Sequence, residues 1–269
     1  MATEQKKREI SDLVNHMKKY KDAVLILGEK IAPELNVKSI SDEEGEGLFN
    51  RKSWVKTPEA FWNYYFENIY IDKNKIKEMP KVYQSVKELL SLGLIKKVYS
   101  VNTHGVLEEA LNLKGTGLGV KCSKCGETHD LTLLKESSKE FSKESLIEKM
   151  NKIECNKCKA KKLRPTCLMY GENYFFDEMK NMLSEVFNNT EGEMAVPNTH
   201  TIMYLGVDME EDFIAELFDN YLLVRDRIEE ECFNVMITDI TNTIELFKPE
   251  FARDGDMEDS LNKLISILK

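Results

Sequence analysis

The sequence predicts an α/β protein with a Rossmann-like parallel sheet, helices on both faces, a small zinc-binding module and a helical insert. Short continuous apolar runs alternate with helical patterns, as is typical of strands that are buried on both faces of a parallel sheet. Two Cys-x-x-Cys pairs interrupt this alternation, and that spacing is typical of a tetrahedral zinc site. Four apolar runs are predicted strands: residues 22–28, 97–102, 201–206 and 232–238.

The helices are predicted from apolar spacing and from residues that favour helix ends. Residues 6–19 carry apolar side chains three and four positions apart, which predicts an amphipathic helix. Thr57 and Pro58 suit an N-cap and a first helical position, so a further helix begins there. The remaining predictions are helices over residues 80–92, 105–113, 174–187, 209–231 and 257–268, and a long polar loop over residues 32–52.

The order of these segments predicts two structural units. A large Rossmann-like domain is expected from residues 1–117 and 165–269, with a helical insert at about 52–79, and a zinc-binding module from residues 118–164. The module has 12 Lys and Arg against 7 Asp and Glu, a formal charge of +5, whereas the whole chain carries −9. A solvated, lysine-rich surface is the preferred interpretation of this excess, ahead of a binding patch.

Composition excludes several classes of protein. A net charge of −9 argues against general nucleic-acid binding, because that function needs basic surface facing the phosphates. We find no apolar run long enough to span a membrane, and the first residues lack the apolar core of a secretion signal. Six cysteines, four of them in Cys-x-x-Cys pairs, indicate intracellular metal binding rather than a disulfide framework, so we expect a cytoplasmic protein.

The four paired cysteines are the predicted metal ligands. Cys122 and Cys125 form the first pair, and Cys155 and Cys158 form the second. Four thiolates make a closed shell around zinc and leave no open position for substrate, so the predicted zinc is structural. The two other cysteines lie in apolar surroundings and are predicted to be buried and inert: Cys167 and Cys232.

Several segments, taken in order, resemble the sirtuins, the family of NAD-dependent protein deacylases. The helix PKVYQSVKELLSLGLIK at residues 80–96 resembles the sirtuin helix before the second strand, and VYSVNTHGVLEEA at 98–110 resembles the segment TQNIDGLHxxA. Lys114-Gly115 and the first cysteine pair match the family's HG and its first zinc knuckle. The segment RPTCLMYGE at 164–172 resembles RPxxxxFGE. The resemblance implies the Rossmann-like fold and NAD-dependent deacylation.

The resemblance also implies positions for the cofactor and for catalysis. Gly28, Asn102 and Gly206 match residues of the family's NAD site. Lys114 stands where the family has its catalytic histidine, and Glu29 stands in the glycine-rich phosphate loop, so NAD binding is doubtful and no catalytic residue is predicted. Further residues depart from the sirtuin pattern. Lys30 stands in the same loop, and residues 36–41 replace the segment GIPDFR. Val101 replaces a glutamine, His104 replaces an aspartate, and Val207-Asp208 replace the last two residues of the motif GTS.

Three hypotheses for the function stay open. The preferred one is a catalytically degenerate scaffold that binds an unknown protein or small-molecule ligand in a remodelled cleft. The second is a divergent NAD-consuming deacylase or ADP-ribosyltransferase that uses His104 or Lys114, although a turn histidine with a local hydrogen bond is the preferred interpretation of His104. The third is an interaction module that acts through its zinc insert. The sequence leaves open whether Lys114 pairs with Glu172.

Overall fold

We describe the fold from a computed structural model of the 269-residue chain. The structure describes residues 10–38, 43–71, 76, 78–130, 150, 153–188, 196–207, 212–225, 231–238, 251–254 and 256–269. All statements below concern these residues.

A six-stranded parallel sheet forms the centre of the large domain. The described strands, in chain order, are β1 Ala23–Leu27, β2 Ile95–Ser100, β3 Leu111–Asn112, β4 Gly119–Cys122, β5 Thr128–Asp130, β6 Leu163–Pro165, β7 Phe187–Asn188, β8 Val196–Pro197, β9 Thr201–Leu205, β10 Phe233–Thr238 and β11 Phe251–Asp254. The large sheet has the order β11-β10-β9-β1-β2-β3, and each pair of neighbours is parallel. From β1 the chain adds β2 and then β3 on one side of the sheet. From β9 it adds β10 and then β11 on the other side. The strand order reverses between β1 and β9, and this is where ligands bind in such sheets.

Helices cover both faces of this sheet, as predicted. The described α-helices are α1 Ile10–Tyr20, α2 Glu43–Leu48, α3 Arg51–Lys56, α4 Pro58–Tyr64, α5 Lys81–Ser91, α6 Phe176–Val186, α7 Asp212–Arg225 and α8 Met257–Leu268. Side chains of β1 alternate between two hydrophobic clusters: Leu25 packs with α1, α5 and α8, while Ile26 packs with α6 and α7. This alternation is the period of a strand, and burial on both faces explains the continuous apolar run in the sequence.

A third hydrophobic cluster joins the helical insert to the cysteine-containing module. The strands β4, β5 and β6 form a small antiparallel sheet. Its buried residues Val120 and Leu163 pack in one cluster with Phe61 and Trp62 of α4. The module thus shares its core with the insert. The exact domain boundaries given above stay a prediction.

Several predicted elements differ from the structure. The helix predicted over residues 105–113 is wrong: Gly105 has a φ of +60°, and the segment ends in β3, with Leu113 N–H donating to the Ser100 carbonyl at 2.8 Å. The predicted loop over 32–52 contains α2 and the start of α3, whose N-cap Asn50 accepts a bond from Ser53 N–H. The edge strand β11 was not predicted.

Other predicted elements agree with the structure or lie partly outside it. The helix over 257–268 is confirmed, and its N-cap Asp256 accepts a bond from Asp259 N–H. Predicted helical residues 6–9, 209–211 and 226–230, and nearly all of the stretch between the two cysteine pairs, lie outside the described residues. None of the described helices has the length and apolarity that a bilayer crossing requires.

Candidate functional site

The four predicted ligand cysteines meet at one point of the small module. The sulfur atoms of Cys122, Cys125, Cys155 and Cys158 all lie within 4.8 Å of one another. The Sγ–Sγ distance is 3.6 Å both between Cys122 and Cys158 and between Cys125 and Cys155. Tetrahedral zinc with bonds of about 2.3 Å places its sulfur ligands about 3.8 Å apart. The cluster therefore has the size and the donor set that suit a structural metal ion.

The two cysteine pairs lie in matching turns. In the first turn, Gly126 N–H donates to the Cys122 carbonyl at 2.9 Å, and in the second, Lys159 N–H donates to the Cys155 carbonyl at 2.9 Å. Both donors have a positive φ, +75° for Gly126 and +57° for Lys159. Each turn aims two sulfurs at the same centre. A glycine has this conformation without strain, whereas a lysine is strained in it.

The two remaining cysteines are buried, as predicted, and lie outside the metal cluster. Cys167 packs in the hydrophobic cluster that the small module shares with the helical insert, and Cys232 packs in a cluster with strands of the large sheet. Burial raises the pKa of the Cys167 thiol to about 12, so this thiol stays protonated near neutral pH.

The predicted cofactor positions come together where the strand order reverses. Gly28 follows β1 and Gly206 follows β9, and the two loops are in direct backbone contact. Lys30 N–H donates to the Gly206 carbonyl at 3.1 Å. A Cβ atom at Gly28 would lie only 2.0 Å from that carbonyl oxygen, and Gly206 has a φ of +57°. Both glycines are thus required for the two loops to touch.

Asn102, the third predicted cofactor residue, is buried and bonded within the protein. Its Nδ2 donates to the Gly28 carbonyl at 2.9 Å, and its Oδ1 accepts from His104 N–H at 3.0 Å. The imidazole Nδ1 of His104 lies 2.8 Å from the Tyr83 hydroxyl. These three side chains connect the ends of β1 and β2 to α5 through polar contacts.

The backbone N–H of His104 makes a local bond to Asn102, but its imidazole bonds to Tyr83, 21 positions away, so the interpretation as a histidine with only a local bond does not hold for the side chain. Only 1% of its surface is exposed. Burial lowers its pKa to about 4, so the imidazole is neutral near neutral pH.

Lys114, at the position of the sirtuin catalytic histidine, forms an ion pair with Glu29. Its Nζ lies 3.0 Å from Glu29 Oε1, and the two side chains are 5% and 20% exposed. The pairing of Lys114 with Glu172, which the sequence left open, does not occur: Glu172 binds Arg164 through both carboxylate oxygens and also accepts from Met169 N–H. Glu29 and Lys114 are 85 positions apart but follow β1 and β3, which end at the same edge of the sheet.

Sequence reasoning missed two parts of this site. Tyr83 gave no signal, because a tyrosine on the apolar face of a helix is usually a core residue. The contact between Glu29 and Lys114 had a weak signal: both residues depart from the sirtuin pattern, and their charges are opposite.

Comparisons with solved structures identify the fold. The chain is similar to a Sir2 enzyme solved in work on the mechanism and regulation of these enzymes, with 17% identity, a TM-score of 0.70, and 97% of this chain and 96% of that chain covered. It is similar to a Sir2 homologue solved as an NAD complex, with 19% identity, a TM-score of 0.70, and coverage of 96% and 93%. It is also similar to Sir2 bound to an acetylated peptide, with 14% identity, a TM-score of 0.70, and coverage of 97% and 98%.

The other comparisons give no match. No protein-family model and no curated protein matches the chain. The structural likeness covers nearly the whole chain, so the chain has the fold of the Sir2 enzymes, or sirtuins, with a cysteine cluster that can hold a structural metal.

Proposed function

We propose that this protein is a non-catalytic scaffold with the sirtuin fold, stabilised by structural zinc, that binds a protein or small-molecule ligand without consuming NAD. The observation that carries the proposal is the ion pair between Lys114 and Glu29. The pair brings a carboxylate to the edge of the sheet where a dinucleotide would place its pyrophosphate. It also fills the position of the family's catalytic base with a cation.

Electrostatics supports this proposal. A pyrophosphate carries negative charge and binds where backbone N–H groups and cations face it. Glu29 repels such a group, and the charge of Lys114 is already balanced by Glu29 at 3.0 Å. In the loop after β1, the backbone N–H of Lys30 donates to the Gly206 carbonyl, so this N–H group is not available to a phosphate. The residues present therefore do not fit NAD.

The lack of an available base also supports it. Deacylation in the family requires a group that accepts a proton near neutral pH. Lys114 is an ion-paired cation, and His104 is buried with a pKa of about 4 and bonded to Tyr83. Neither side chain is suited to the role that the divergent-enzyme hypothesis gives it.

The direct test is calorimetric titration of zinc-loaded protein with NAD and with ADP-ribose at millimolar ligand, together with an assay of nicotinamide release in the presence of an acetyl-lysine peptide. We expect neither binding nor turnover. A micromolar dissociation constant for either ligand would overturn the proposal, and so would nicotinamide release that depends on the protein.

A pair of variants tests the electrostatic argument itself. Glu29→Ala removes the repelling carboxylate, and Glu34→Ala removes the same charge from an exposed residue of the same loop. If Glu29 excludes the pyrophosphate, ADP-ribose affinity rises in Glu29→Ala and not in Glu34→Ala. An equal change in both variants would mean that overall charge, rather than the ion pair, governs binding.

A further inference from the structure

Exposed basic side chains lie on α3 and on the part of the small module that packs against it. Three of them belong to α3, and two belong to the second cysteine turn and the residues after it. We call the five residues the basic patch: Arg51, Lys52, Lys56, Lys159 and Lys162. Among the described residues, none of these five side chains forms an ion pair.

Contacts beneath the patch hold its two parts together. The indole N–H of Trp54, in the middle of α3, donates to the Leu163 carbonyl at 2.9 Å. Leu163 directly follows Lys162, whose own carbonyl accepts from Ser123 N–H at 2.8 Å. Trp54 also packs against the hydrophobic cluster that contains Leu163. These contacts place α3 directly beside the segment that follows the second cysteine turn.

Lys159 of the basic patch has a left-handed backbone conformation. The matching position of the first turn is Gly126, with a φ of +75°. Lys159 holds a φ of +57°, where glycine is preferred. Glycine has this conformation without strain, so Lys159→Gly can remove the side chain from the patch without destabilising the turn.

An apolar side chain lies within this basic surface. Val55 is 67% exposed, and on α3 it is four residues from Arg51 and three from Lys52, which places the three side chains on one face. The nearby carboxylates are few. Glu127 and Glu154 are each bound to a lysine of the module, Lys157 and Lys161. In α2 and α4, Glu44 is exposed and bound to Lys38, and Glu46 and Glu59 are exposed as well.

We propose that the basic patch binds an acidic peptide segment of a partner protein, with an apolar side chain of that segment on Val55. A short acidic segment contacts the patch alone, whereas a long polyanion such as a nucleic acid also faces the rest of the chain, which carries a formal charge of −14 outside residues 118–164. Trp54 of α3 is partly exposed, but its indole packs on the hydrophobic cluster and donates to the Leu163 carbonyl, so this ring is not free for base stacking. The proposal does not depend on the state of the cleft.

The test uses a fluorescein-labelled peptide of glutamates around one central leucine, titrated with zinc-loaded protein and followed by anisotropy. Lys52→Glu/Lys56→Glu reverses two charges of the patch. Lys180→Glu/Lys263→Glu makes the same change on exposed helical lysines of the large domain and serves as the matched control. We expect the patch variant to bind about tenfold more weakly or worse and the control to bind like the wild type.

Lys159→Gly separates binding from folding. Glycine relieves the strain at this position, so the variant is expected to melt at the same temperature as the wild type or higher, and yet to bind the peptide several-fold more weakly. Loss of binding in this variant therefore cannot result from an unfolded module.

Three results would overturn the proposal. One is no peptide binding at low salt. Another is an equal loss in the patch and control variants, which would indicate a non-specific charge effect. The third is tighter binding of a short DNA duplex that the same patch variants abolish, which would assign the surface to nucleic acid.

Discussion

Residues that are distant in the sequence meet both at the cysteine cluster and at the reversal point of the large sheet. The groups at the cluster need a bound cation, whereas the groups at the reversal point bond to one another. In the cysteine cluster, four sulfurs converge within 4.8 Å, and a cation is needed to balance them as thiolates. At the reversal point, the predicted residues converge and satisfy one another: Asn102 bonds to Gly28 and His104, and Lys114 bonds to Glu29. Convergence alone therefore does not identify a binding site. What matters is whether the converging groups still require a partner.

The largest effect is expected at the cluster. Cys155→Ser removes one buried ligand, and we expect the metal content to fall from about one zinc per chain to near none. Structural zinc contributes about 10–16 kcal/mol of binding free energy in small modules, so the module should lose more than about 4 kcal/mol of stability. Elemental analysis and thermal unfolding measure the two changes.

The control for this variant is Cys167→Ala, which removes a buried cysteine that packs in the same hydrophobic cluster as Cys155 but is not one of the four grouped sulfurs. It should lose stability but keep its zinc. If Cys155→Ser retained a full complement of zinc, the assignment of these four cysteines as the ligands would be wrong.

The next effect tests how strongly Lys114 and Glu29 stabilise each other at the end of the large sheet. Lys114→Met leaves Glu29 unpaired in a largely buried position, which should cost about 2–4 kcal/mol of unfolding free energy. Glu29→Gln/Lys114→Met removes both charges and should recover most of this loss. Urea denaturation of the wild type, of Lys114→Met, of Glu29→Gln and of the double variant gives the coupling energy between the two charges. A coupling energy near zero would show that the two charges do not depend on each other.

A smaller effect concerns the neutral histidine of the cleft. The folded pKa of His104 is about 4, whereas unfolded histidine has an ordinary pKa of about 6.5. The unfolded chain therefore binds the proton more readily, and stability falls as the pH drops from about 6.5 towards 4. The expected loss from His104 is about 2 kcal/mol between about pH 7.5 and pH 5.

The measurement compares this pH dependence in the wild type and in His104→Gln. Burial also lowers the pKa of His16, which remains in both proteins and contributes the same slope to each. The difference between the two curves isolates His104. Parallel curves would mean that His104 has an ordinary pKa and is accessible to protons.

The sequence was sufficient to predict the four inner strands of the large sheet, β1, β2, β9 and β10, and the cysteine cluster, because both depend on local patterns. Continuous apolar runs such as residues 22–28 identify strands buried on both faces, and two Cys-x-x-Cys turns limit the donors to four sulfurs. The failures involve residues whose structure depends on distant partners. Residues 105–113 have a helical composition, but backbone pairing with β2 makes Leu111–Asn112 an edge strand.

The state of the cleft could not be predicted for the same reason. Glu29, Lys114 and Tyr83 belong to three separate segments, and only the strand order β3-β2-β1 brings the first two to one edge. A single sequence indicates that these positions depart from the sirtuin pattern. It does not indicate that two of the departures neutralise each other.

The smallest expected effect compares two buried tyrosines. The Tyr83 hydroxyl lies 2.8 Å from His104 Nδ1, whereas the Tyr204 hydroxyl has no hydrogen-bond partner among the described residues. Tyr83→Phe leaves a buried imidazole nitrogen unpaired and should cost about 1–2 kcal/mol, while Tyr204→Phe removes an unsatisfied group and should be neutral or slightly stabilising. Both variants lose one buried oxygen, so their difference in urea denaturation measures the polar contacts of the Tyr83 hydroxyl, with His104 and with Asn102 Nδ2 at 3.4 Å. Equal losses would mean that the hydrogen bonds among Tyr83, His104 and Asn102 add no stability beyond packing. The contrast with the cysteine cluster would then depend only on the ion pair between Lys114 and Glu29.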